Sequence, residues 1–175
     1  MAPVEQTLSP SLTDVGPDVL VAAGVERSES ATELAFAWTN GTEVVILPAT
    51  IDPTSLAITA GTAIVVPSPA GAPSSVTLAH VEAGISVAGT FGGNTIAADE
   101  TGGYVVTWVA GGVLWATRIS DHSHAIVGQP VRLGAASGES SAYVDYDAAN
   151  NARVRVVARQ GNEVVVFPSV CGPTS

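Results

Sequence analysis

Asp121, His122, Ser123 and His124 form the densest group of metal-ligating side chains in the sequence. On an extended strand His122 and His124 point the same way, because side chains alternate between faces, and two imidazoles on one face can share a zinc or copper ion. Asp121 or the distant His80 would have to supply a third ligand. Residues 145–151, DYDAANN, set oxygen ligands at alternating positions as a calcium loop does, yet they lack the glycine and the distal bidentate Glu of such a loop. Asp and Asn also make turns by bonding their own backbone, which accounts for this stretch and for ADETGG at 98–103 without an ion. The expectation is no cofactor, with calcium or zinc as the alternative these residues suggest.

Nucleophilic chemistry finds less support. There is neither a Gly-x-Ser-x-Gly elbow nor a Ser-x-x-Lys pair, and Gly138-Glu139-Ser140-Ser141 reads as a polar turn. The single cysteine, Cys171, has no nearby histidine to lower its pKa and cannot form an internal disulfide. No catalytic constellation is visible, so an enzyme is not expected. Three tryptophans remain as candidate ligand-binding residues. Trp38 and Trp108 end matching strands and Trp115 lies opposite in the next one. Exposed indoles stack on sugar rings, as in lectins, whereas indoles repeated at one strand position pack between sheets. Asn40-Gly41-Thr42 matches a glycosylation sequon and is also a hairpin turn.

Bulk composition excludes several classes of partner. The chain has 175 residues, no Lys, six Arg and a net charge of −10, with 46% hydrophobic residues. Such an acidic chain repels phosphate backbones and anionic headgroups, which argues against nucleic acid and membrane surfaces. No apolar run approaches the length of a transmembrane helix. The first 18 residues lack the positive start and apolar run of a signal peptide. Residues 1–17 carry three prolines and read as an arm or linker, leaving 18–175 as a single domain.

The elements that must position these residues are strands. LAFAWT (34–39) and TEVVILP (42–48) flank Asn40-Gly41, a strong hairpin signal because both residues tolerate positive φ. ISVAGTF (85–91) and NTIAA (94–98) flank Gly92-Gly93, and YVVTWVA (104–110) and VLWATRI (113–119) flank Gly111-Gly112. ARVRVVAR (152–159) and NEVVVFP (162–168) flank Gln160-Gly161. Further runs at 56–67, 75–80, 130–133 and 141–146 fill the gaps, and no stretch sustains a helical period. Two of the hairpins are nearly the same text: NGTEVVILPA (40–49) returns as QGNEVVVFPS (160–169), 120 positions later. Around these lie longer units of short strand, turn, two long paired strands and a closing strand, at 19–51, 95–133 and from 140 onward.

Stretches such as AYVDYDAANNARVRVV and YVVTWVAGGVLWATRIS followed by VGQPVRL resemble the blade repeats of bacterial, mostly secreted, β-propeller proteins. The likeness spans residues 95–168 and, more loosely, 19–51. It implies an all-β fold of antiparallel hairpins arranged as propeller-like blades, with a β-sandwich as the alternative. It also implies an extracellular or particle-surface location, and it puts Asp121–His124 in a turn between strands. About three units fall short of the four to eight that close a propeller. The functional expectation is therefore a non-enzymatic binding or structural module that self-associates or docks on other β-rich chains through its sheet edges. A carbohydrate-binding, lectin-like module is the alternative.

Overall fold

The computed structural model describes residues 20–27, 32–81, 89–91, 94–96, 103–120, 123–146 and 152–168. Residues 1–17, Gly92-Gly93, residues 98–102, Asp121, His122, residues 147–151 and Cys171 lie outside them. Every element among the described residues is a strand, and every strand pairing is antiparallel. The expectation of an all-β chain holds.

The first sheet contains β1 (Leu20–Arg27), β2 (Thr32–Asn40) and β3 (Glu43–Ile51), with β4 (Ile58–Ala60) and β5 (Ile64–Pro67) both paired to β3. The second is built from β6 (Ser74–Val81), β9 (Gly103–Ala110), β10 (Val113–Ser120) and β11 (Ile126–Ala135), in the order β11-β10-β9-β6. Between β6 and β9 the chain makes a small hairpin, β7 (Gly89–Phe91) with β8 (Asn94–Ile96). The third sheet runs β12 (Ser140–Tyr146), β13 (Ala152–Gln160) and β14 (Glu163–Pro168) in sequence order. Among the described residues none of these sheets closes into a barrel.

Turn chemistry sets the hairpins, one residue later than the sequence suggests in two of them. Asn40 still pairs with Glu43 and Gln160 with Glu163, so the central pairs are Gly41-Thr42 and Gly161-Asn162. Gly41 and Gly161 have φ of 57° and 60°, and a glycine alone at the first central position suits a turn whose twist matches the strands. At the β9–β10 turn both Gly111 (58°) and Gly112 (73°) are left-handed, as the doubly positive turn type requires.

The second sheet is the middle layer. Ala35, Ala37, Val44, Ile46 and Val66 of the first sheet share one buried cluster with Val76, Leu78, Tyr104, Val106 and Trp108 of the second. On its other face, Val105, Val109, Leu114, Ala116 and Leu133 share a cluster with Val156 and Ala158 of the third sheet. Successive side chains of a strand face opposite ways, so β9, packed on both sides, is buried at every position. This is why YVVTWVA reads as an unbroken apolar run rather than an alternating one. The buried Thr107 is the polar exception, and its hydroxyl is hydrogen-bonded to that of Thr77 on β6 at 2.7 Å.

Side-chain hydroxyls also tie the second sheet to the third. The Ser140 amide donates to Ser75 Oγ at 2.7 Å, and Ser140 Oγ donates to the Ser75 carbonyl at 3.1 Å. Ser75 is held at φ 52°. Past β11, the Ser137 amide donates to the Arg159 carbonyl, and Ser137 Oγ accepts the Gly161 amide at 2.7 Å. These bonds fix the β13–β14 turn against the end of β11.

Candidate interaction surface

The third sheet has one covered face and one open one, and its register says which residues stand on each. Val156 and Ala158 point into the cluster shared with the second sheet. By alternation Val157 and Arg159 point outward. Residues directly opposite across a ladder share a face. Val157 is opposite Val166 and Arg159 is opposite Val164, so these valines point outward too. They are 49% (Val166) and 72% (Val164) exposed. Phe167 lies on the inner face, where it packs on the buried cluster against Gly134; a Cβ on that glycine would come within 2.6 Å of the ring.

The corresponding residues of the other two hairpins are covered. Val44 and Ile46 follow the β2–β3 turn as Val164 and Val166 follow the β13–β14 turn, and Leu114 and Ala116 hold those places after the β9–β10 turn. All four have no exposed area. The strands that carry them are flanked on both sides as well. β3 takes β5 along Glu43–Ile46, and β10 takes β11. Among the described residues, β14 has β13 on one side and no strand on the other. On the outward face of this sheet, Glu139, Ser141, Val157, Arg159, Glu163 and Val164 line an open groove of about 490 Å³. Arg159 is exposed and its Nε donates to the Gly161 carbonyl at 2.9 Å.

The three tryptophans are buried or half-buried. Trp108 is fully buried between the first and second sheets, with Nε1 donating to Ser68 Oγ at 3.2 Å. Trp38, at the same distance from its own hairpin turn, is buried with Val45 and Leu47 on the other face of the first sheet. Trp115 is half-buried and its Nε1 donates to the Ala110 carbonyl at 3.4 Å. Alternation and turn spacing locate all three on their strands; how far each is buried depends on packing between distant segments, which the sequence does not display.

His124 is exposed at the bend between β10 and β11 with φ of 48°, and its amide donates to the Ser120 carbonyl at 3.0 Å. It borders a pocket of about 110 Å³ together with Glu33, Pro48 and Tyr104. His80 is tilted against the Tyr104 ring at 5.0 Å between centroids. Among the described residues no three His, Cys, Asp or Glu side chains are gathered as a metal site. A further buried ion escaped the sequence reading: Arg118 has no exposed area on β10. The residue has a polar interaction of its own, yet Nε and Nη1 donate no hydrogen bond. No helix among the described residues is long and apolar enough to cross a membrane.

Compared with protein families, with characterised proteins and with solved structures, the chain matches none.

Proposed function

We propose that this chain is a non-enzymatic structural or binding module that assembles through its sheet edges, with copies of itself or with other β-rich chains. The observation that carries this reading is the contrast between β14 and its two counterparts. A strand of sequence EVVVFP stands at an edge with Val164 72% exposed, while Val44 and Leu114 at the corresponding places are sealed. An open edge of β-branched residues is a template for another strand. Lysine, the usual guard of such edges, is absent from the chain.

The three sheets are read here as successive blade-like units, each presenting the face after its turn to the next unit. Two such contacts lie within the chain, and the third sheet is left with that face open. The likeness to secreted propeller repeats favours work outside the cell or on a particle surface.

Light scattering and sedimentation on the purified chain test the reading. An assembled species is expected, with a mass that is a multiple of the 17.5 kDa chain. A single 17.5 kDa species at high concentration, with no binding to β-rich partners, would sink it.

A further inference from the structure

We infer that the occupant of the β14 edge is the β14 of a second copy, paired antiparallel about a two-fold axis through Val165. This rests on the assembly reading above and specifies its partner.

The hydrogen-bonding pattern fixes which groups are available. In a hairpin with a two-residue turn the residues closing the turn bond to each other, and bonded and non-bonded positions then alternate along the strand. Gln160 and Glu163 close this turn. Glu163, Val165 and Phe167 therefore direct their main-chain groups to β13, and Val164 and Val166 direct theirs outward. The first sheet shows the same arrangement filled. Val44 and Ile46 pair there with Val66 and Ile64 of β5, and the Ser68 amide donates to the Thr42 carbonyl at 2.9 Å. Among the described residues the open side of β14 thus fits an antiparallel strand that continues a pairing already present twice in the chain.

The strand is complementary to itself in one register. With the axis through Val165, Val164 meets Val166 of the second copy and the reverse, giving about four main-chain hydrogen bonds between outward groups. Glu163 then falls opposite Phe167 rather than opposite its own twin, so no like charges face each other. Pro168, which has no amide hydrogen, falls at the end of the ladder, where its missing donor stops the pairing. Moving the axis to Val166 would put Pro168 opposite Val164 at both symmetric pairs and lose one bond from each. Copies carrying −10 repel each other, and three of the six arginines, Arg153, Arg155 and Arg159, lie on the neighbouring strand β13, against Glu139 and Glu163 at the groove. A two-fold contact closes on itself, so association ends at a dimer.

Sedimentation equilibrium on the wild-type chain and on Val164→Lys/Val166→Lys is the test. Four lysines brought together in the joined sheet should weaken association roughly 100-fold or more. The wild type is expected at twice 17.5 kDa and the double variant at 17.5 kDa, with unchanged far-UV circular dichroism. A wild-type dimer that survives both substitutions in a folded variant overturns the edge assignment and leaves assembly standing. A monomeric wild type overturns both, and growth beyond a dimer overturns the two-fold form. Should the lysine variant fail to fold, Val165→Cys in a Cys171→Ser background decides. Residues opposite one another at a non-bonded position have Cβ atoms about 4.5–5.5 Å apart, close enough for a disulfide after slight adjustment. Mild oxidation should link the copies through Cys at 165, and a folded dimer that does not cross-link refutes the register.

Discussion

Replacing Trp108 with alanine probes the contact between the first two sheets. The indole is fully buried among residues of both sheets, and its Nε1 bonds Ser68. A buried tryptophan removes about 200 Å² from water, worth about 5 kcal/mol at about 25 cal/mol per Å². Alanine keeps about 1 kcal/mol of that by area, leaving a loss of about 4, inside the range of about 3–5 seen for such truncations. Ser68 is half-buried, so its hydroxyl can turn to water and adds little. Trp115→Ala on the neighbouring strand is the internal control. Its ring is only half-buried, so the same reasoning gives about 2 kcal/mol. Against a typical domain stability of about 5–15 kcal/mol the Trp108 variant should unfold at a much lower urea concentration. Urea titrations of wild type and both variants, followed by far-UV circular dichroism, measure the two losses. A cost below about 1 kcal/mol at Trp108, or one no greater than at Trp115, would refute the claim that this ring holds the two sheets together.

Gly103 has φ of 145°, and an added Cβ would run into the Ile119 carbonyl oxygen of β10. Gly103→Ala should cost about 2–5 kcal/mol from backbone strain and overpacking together; thermal unfolding equal to wild type would contradict it. Asp52 caps an exposed turn, its Oδ1 accepting the amides of Ser55 at 2.6 Å and Thr54 at 2.9 Å. These bonds, the Ser55 amide first, hold its carboxyl below the usual 3.8. A group whose folded pKa is depressed stabilises the fold above its unfolded value and loses that contribution as pH falls through the folded one. The advantage of wild type over Asp52→Asn should therefore be full above pH 3.8 and shrink below it. A carboxyl titration by NMR with its midpoint at or above 3.8 would show the turn does not act in this way.

The hairpins were legible because their signals are local. Glycines at 41, 111 and 161 adopt the positive φ that only a turn residue tolerates easily, and the apolar runs beside them leave no room for another element. Residues 56–67 were harder, since one apolar run became two short strands on the same edge of β3, separated by residues 61–63. The following strand, β6, left for the second sheet, where it pairs with β9 across an insertion. Nothing within either run announces that division, because which sheet a strand joins depends on distant partners. Arg118 shows the same limit: its type predicts a solvated residue, yet on β10 it has no exposed area.

The repeated decapeptide separates the two levels most clearly. NGTEVVILPA and QGNEVVVFPS specify one local structure, and both form it: a glycine turn followed by a strand with valine on alternate faces. In the first copy Val44 and Ile46 have no exposed area, while in the second Val164 and Val166 stand open to solvent. The local text determined that these side chains share a face. Only the tertiary structure decided whether that face meets another sheet, because burial belongs to the pair of surfaces in contact and not to the strand that carries one of them.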